Sequence, residues 1–240
     1  MNTAREDGGS SGLYDDGIAF GGTTSAGGKT EYWNGSGWTE LADLATARIS
    51  GGGSPAGTSS LAFYAGGLPS GATTATEEWS IPSGAVSIVQ EGQVWYNSTS
   101  NVLKGFGAQG SLSWSSGGNL NTARQALTGA GLTNASALAI SGGIAPAETR
   151  TVNVESYDGS TWTETTNVNV GRLQAQGIGS QTAALFICGS IPPGATQTND
   201  SETWNGSTWV EGNNLNQARD YLAGCGTSTA GMAISGYHPT

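Results

Sequence analysis

Five of the chain's six arginines stand at the same point of a recurring phrase: Asn2-Thr3-Ala4-Arg5, Ala45-Thr46-Ala47-Arg48, Asn121-Thr122-Ala123-Arg124, Asn169-Val170-Gly171-Arg172 and Asn216-Gln217-Ala218-Arg219. Guanidinium forks match carboxylate and phosphate, so five of them gathered on an axis could hold an anionic ligand. Glutamates recur in step, at Glu31, Glu77, Glu155 and Glu202. They offer a second use, in which an arginine and a glutamate from neighbouring strands or blades pair in every unit. The shared phase favours pairing over a binding ring.

Other reactive groups are sparse. The single histidine, His238, lies near the end of the sequence, so neither a Ser/His/Asp arrangement nor a His-based metal site is expected. Carboxylates are adjacent at Asp15-Asp16 and Glu77-Glu78, but neighbours on a strand face opposite sides, whereas a glycosidase needs two acids facing one bond. Asp15-Asp16-Gly17 reads as a turn, with a Ca²⁺ contact as its alternative. Ser156 to Trp162 departs from the sialidase Asp box, its glycine and tryptophan both falling early. We therefore expect a non-enzymatic chain with no catalytic residues, metal or cofactor.

The net charge of −10 and pI near 4.3 repel phosphate backbones, and no Lys/Arg cluster overrides them, which argues against nucleic acid. The longest strongly apolar run, about six residues from Ala183 to Cys188, falls far short of a membrane span. The start of the chain shows no apolar core of a cleavable signal peptide. Cys188 and Cys225 occupy small-apolar positions of different repeats and read as buried free thiols, a disulfide being the alternative.

The elements that hold the arginines recur with them. After each comes a small-residue stretch, then an apolar run ending in glycine or serine, such as Leu138-Ala139-Ile140-Ser141-Gly142-Gly143. An acid and an aromatic follow in four units, as in Glu202-Thr203-Trp204, and a second tryptophan closes each of these: Trp38, Trp114, Trp162 and Trp209. The tryptophans read as wedges between blades. The arginine spacings are 43, 76, 48 and 47 residues, a period in the forties with one insertion. Short strands punctuated by glycine at such a period predict a radial β array.

The third unit predicts four antiparallel strands, at 125–131, 137–140, 151–157 and around Trp162, with Asp158-Gly159 as a type I′ hairpin turn. Asn34-Gly35 and Asn205-Gly206 repeat that turn. The expected fold is an all-β propeller filling 1–240 as one domain, most simply of five blades with the last incomplete. Its repeats are approximately 2–44, 45–120, 121–168, 169–215 and 216–240. In the second, residues 80–113 form an inserted β-hairpin of strands 92–97 and 101–106. Trp95, Tyr96, Lys104 and Phe106 lie in this insertion, outside the repeat, and either contact a partner or form the hairpin's own small core. The fifth unit supplies only two strands, so either its blade is thin or its remaining strands come from elsewhere.

The phrase resembles the kelch repeat, best in Thr151-Val152-Asn153-Val154-Glu155-Ser156-Tyr157-Asp158-Gly159 with Trp162 and Arg172. The N-T-A-R and W-N-G-S-x-W-T-E wording is similar to kelch-like repeat proteins of marine bacteriophages. The insertion around Gly92 to Thr99 resembles a hairpin of phage tail and fibre proteins. The resemblance implies a virion or extracellular-surface location and a binding or structural role, with other virion proteins or host surface glycan as partners. The alternatives are a purely architectural propeller docking through 80–113, and a lectin-like surface propeller of a bacterium. The variable stretches Ser25 to Lys29, Pro69 to Thr74, Pro146 to Arg150 and Pro192 to Asn199, together with the hairpin aromatics Trp95, Tyr96 and Phe106, are the expected sugar contacts, since loops vary where a scaffold repeats.

Overall fold

The structure, a computed structural model, describes residues 1–23, 27–54, 57–68, 71–80, 94–97, 102–105, 113–144, 149–192 and 196–238, with the backbone alone at 94–97 and 102–105. Four sheets of four antiparallel strands follow one another along the chain. The first blade is β1 (Gly9–Leu13), β2 (Asp16–Phe20), β3 (Thr30–Trp33) and β4 (Trp38–Glu40). The second is β5 (Gly52–Gly53), β6 (Leu61–Ala65), β7 (Thr76–Ser80) and, beyond the hairpin of β8 (Val94–Asn97) and β9 (Val102–Gly105), β10 (Ser113–Ser116).

The third blade holds β11 (Thr128–Thr133), β12 (Ser136–Ile140), β15 (Val154–Tyr157) and β16 (Trp162–Thr165). Its β12–β15 loop forms a small ladder of β13 (Gly143–Ile144) and β14 (Thr149–Arg150). The fourth repeats this with β17 (Gln176–Ser180), β18 (Ala183–Ile187), β21 (Ser201–Trp204) and β22 (Trp209–Glu211), and the ladder β19 (Ser190–Ile191) with β20 (Thr196–Gln197). The fifth unit has two strands, β23 (Ala223–Gly226) and β24 (Gly231–Ile234). Among the described residues the fold is an all-β propeller of four four-stranded blades followed by the two-stranded sheet of the fifth unit.

Three local readings need correction. The third unit's first strand begins at Thr128, because Ala126, at φ 51°, turns the chain between the isolated Gln125–Gly143 bridge and the pairing with β12. The Asp158-Gly159 connection is a four-residue loop between paired Tyr157 and Trp162, not a type I′ turn. Gly159 alone has positive φ, and the Asp158 carboxylate accepts the N–H groups of Ser160 and Thr161 at 2.9 and 2.8 Å. Asn34 and Asn205 use their side-chain oxygens in the same way. These residues favour the loop by mimicking backbone acceptors. Asp15 lies in the β1–β2 turn, but Asp16 and Gly17 already belong to β2.

The core lies between blades. Strand alternation sends Ile18 and Phe20 onto Ala62, Tyr64 and Trp79 of the next blade. Phe63 and Ala65 meet Ala137, Ala139 and Tyr157, and Leu138 and Ile140 meet Ala184 and Phe186. Each buried large side chain contributes on the order of 1.5–3 kcal/mol relative to exposure. The fourth-strand tryptophans strengthen the interface. Trp114 Nε1 donates to Thr30 Oγ1 of the preceding blade at 2.9 Å, Trp162 to Thr76 Oγ1 at 3.0 Å and Trp209 to the Thr166 carbonyl at 3.1 Å.

Near the axis a backbone ladder joins the units. The N–H of Ser50 donates to the Asp7 carbonyl, Ala126 to Ser50, Gln174 to Ala126 and Tyr221 to Gln174, at 2.8–3.2 Å. All five residues stand two positions after a repeated arginine and share φ near +50° (55, 55, 51, 49 and 51°).

Candidate functional site

The repeated arginines are consumed inside the blades. Arg124, fully buried, donates Nη1 to the carbonyls of Ser141 and Asn153 at 3.1 and 2.8 Å, and Nη2 to Glu155 at 2.5 Å. The second Glu155 oxygen accepts the N–H of Asn121, three residues before the arginine, at 2.7 Å. One guanidinium thus joins the end of the second strand, the third strand and the segment entering the first.

The motif repeats in Arg5–Glu31 at 2.9 Å, Arg48–Glu77 at 2.8 Å and Arg172–Glu202 at 2.7 Å. Burial pulls the pKa values of Arg48, Arg124 and Arg172 downward against the raising effect of their glutamates. Rings cover two of the cations: Arg48 lies 5.3 Å from the Tyr64 centroid and Arg172 4.6 Å from that of Phe186. Arg219 differs. It donates to the Ser235 carbonyl at 2.9 Å, is half-buried, and makes no ion pair among the described residues.

Trp162 and Trp209 are buried, while Trp38 and Trp114 are half-buried. Glu77 and Glu78 do face opposite ways, the first to Arg48 and the second to Tyr157 of the next blade. The Glu78–Tyr157 link was not anticipated from the sequence. Its only signal is that the acid is doubled in this one unit, where Tyr32, Ser156 and Thr203 occupy the corresponding places. Cys188 is buried, and burial raises its thiol pKa, but Cys225 is exposed, contrary to expectation. Its strand belongs to a two-stranded sheet that packs on the fourth blade and to which no third strand hydrogen-bonds among the described residues.

A cavity of about 730 Å³ lies on the axis. All five units line it with the beginnings of their first strands, including Glu6, Asp7, Ser50, Gln174, Gln176 and Tyr221. The five repeated arginines are not in its wall, so the guanidinium ring considered for an anionic ligand does not form there. The charged groups of the wall are carboxylates. Burial, and then Glu6, raises the Asp7 pKa above its ordinary value.

Chain direction sorts the loops between two rims. Connections from second to third strands leave at the rim where first strands begin, beside the cavity mouth. There lie the described parts of the four variable stretches, 27–29, 71–74, 149–150 and 196–199; Ser25, Ala26, Pro69, Ser70, Pro146 to Glu148 and Pro193 to Ala195 fall outside the described residues. The insertion connects a third strand to a fourth and departs from the opposite rim. Within it Trp95 pairs with Lys104 and Tyr96 with Leu103 across β8 and β9, while Phe106 lies outside the described residues.

No family model matches the chain, and no curated protein matches it. Among solved structures it is similar to one titled "Structure of YjhT", with a TM-score of 0.53 and 13% identity over 99% of this chain and 92% of that one. At that identity the likeness shows the fold: the chain is built as a β-propeller.

Proposed function

We propose that the chain is a non-enzymatic binding module of a phage particle, set in a tail fibre or appendage, whose cavity-bearing rim contacts host surface glycan. The supporting observation is that the described ends of the four variable loops leave from the rim at which the first strands line the axial cavity. Serine, glutamine and acid side chains around a cavity suit a neutral, hydroxyl-rich ligand, because amides and carboxylates hydrogen-bond paired sugar hydroxyls. The virion setting rests on the phage-like wording of the repeats. The test is a glycan array together with host-cell adsorption by the purified chain. Binding should be lost in Gln174→Ala/Gln176→Ala and kept after deletion of 81–112. Equal binding by the double variant and the parent rejects the cavity as the sugar site.

The hairpin favours a second, architectural reading, since it lies outside the repeat and leaves from the other rim. In that reading Trp95, Tyr96, Lys104 and Phe106 dock on a neighbouring virion protein. Self-association or particle assembly lost on deletion of 81–112, with no glycan captured by the parent, selects it.

A further inference from the structure

The sixth arginine, Arg150, stands outside the repeated phrase, in β14 of the third blade's variable loop. It reaches the small ladder of the fourth blade. Its Nε donates to the Ser190 carbonyl at 3.0 Å and its Nη2 to the Ser190 hydroxyl at 3.5 Å. Ser190 is buried, and its hydroxyl donates in turn to Oε1 of Gln174 at 3.3 Å. A guanidinium only donates, so the serine oxygen accepts from Arg150 and sends its one proton to the glutamine. Gln174 is thereby held with its carbonyl against the protein and its amide nitrogen turned away.

Two residues on, Gln176 has the opposite polarity. Its Nε2 donates to the Gly177 carbonyl at 2.6 Å, an oxygen that can only accept, which leaves Oε1 without a partner among the described residues. Both side chains line the axial cavity, and neither the Gln174 nitrogen nor the Gln176 oxygen is sealed from solvent. The other units carry no amide at these two places, where Asp7 and Gly9, Ser50 and Gly52, Ala126 and Thr128, and Tyr221 and Ala223 stand. The fourth unit alone thus gives the wall a fixed donor close to a fixed acceptor. A hydroxyl rotates to suit either, so this pair confers no preference among sugar hydroxyls. It discriminates for a group whose own donor and acceptor are fixed, as in a secondary amide.

We propose that Gln174 and Gln176 form a subsite for the acetamido group of a neutral N-acetylated sugar, with Arg150 as a positioning residue that acts through Ser190. Gln174 donates to the acetamido carbonyl and Gln176 accepts its N–H. Ala175, between them in the wall, gives the methyl group an apolar surface. Glu6 and Asp7 line the same cavity without any Lys, Arg or His, so a sugar bearing a carboxylate is repelled. The subsite rests on the sugar-binding reading of the cavity and narrows it to one ligand class.

The probes are methyl glycosides of N-acetylglucosamine, N-acetylgalactosamine, their parent hexoses glucose and galactose, and N-acetylmuramic acid, titrated into the ¹⁵N-labelled 240-residue chain. A neutral N-acetyl glycoside should bind at least tenfold more tightly than its parent hexose and shift the side-chain amide signals of Gln174. Gln174→Glu keeps an acceptor for Ser190 but removes the donor, and should erase that ratio. Arg150→Met should shrink the ratio several-fold while hexose affinity stays unchanged, a result that general damage to the fold would not produce. Equal affinity for N-acetyl glycoside and hexose, or a ratio that survives Gln174→Glu, overturns the subsite and leaves sugar binding by the cavity standing. Equal binding of N-acetylmuramic acid overturns the restriction to neutral sugars. Failure of every glycoside to bind also overturns the subsite, and the glycan array decides the broader reading separately.

Discussion

The hydroxyl of Tyr157, in the third blade, donates a hydrogen bond to the carboxylate of Glu78, in the second, and accepts one from the N–H of Gly118 at 3.1 Å. Burial and then Glu78 push the Tyr157 pKa up to about 12, and burial raises that of Glu78. Tyr64 is also pushed to about 12, by burial. A group whose folded pKa is raised contributes stability below its unfolded value and loses it as pH climbs to the folded one. The chain should therefore lose stability from about pH 10 to about pH 12. Tyr157→Phe should shrink that loss and cost about 1–3 kcal/mol at pH 8, because Glu78 loses its donor. Urea unfolding at pH 8 and 11 measures both.

Removing one partner of a buried ion pair leaves an uncompensated group in the core. Glu155→Gln should cost about 3–5 kcal/mol, and Glu155→Gln combined with Arg124→Met clearly less than the sum of the single changes. Arg219→Met, which breaks no ion pair, should cost within about 1 kcal/mol. Denaturant midpoints of the four variants decide the matter, and a large effect at Arg219 contradicts the assignment.

Asp158 has its pKa lowered to about 2 by the N–H of Thr161, then by Ser160. The lowered value means a contribution that is present above the ordinary aspartate range and is lost as pH falls toward 2. Asn34 and Asn205 hold the same loop without a titrating group. Asp158→Asn should keep the loop and abolish its part of the acid dependence, read as thermal midpoints at pH 2 and 5 that draw closer together.

Close approach of first strands near the axis excludes side chains. A Cβ on Gly177 would stand 2.8 Å from the Gly129 carbonyl, whereas one on Gly37 would meet nothing within 4 Å. Gly177→Ala should cost about 1–3 kcal/mol by overpacking. Gly37→Ala should be neutral or add up to about 1 kcal/mol through the unfolded chain. Thermal unfolding of the two variants separates packing from glycine's intrinsic flexibility.

The blade plan was legible because side-chain period, glycine punctuation and the arginine phase coincide in each unit, and the third unit displays all of them in order. Turn geometry was less so. D-G and N-G dipeptides admit two loop types, and what selects the four-residue form is the Asp158 or Asn205 side chain bonding forward, a three-dimensional competition between acceptors. The Glu78–Tyr157 link was hidden for a similar reason, since its partners are 79 residues apart and the acid at Glu78 and the hydroxyl at Tyr157 each occur in one unit only. The exposure of Cys225 depended on which strands cover the fifth sheet, a matter no local pattern records.

The ladder of φ-positive residues from Asp7 to Tyr221 is the same at every step, one donor from each unit to one acceptor in the unit before it. Such a step works as well after four units as after five. Blade number is thus not written at the axis. Farther out the contacts are made by side chains, with Trp114, Trp162 and Trp209 each bonded to the blade before it, whereas the inner joints are made by backbone alone.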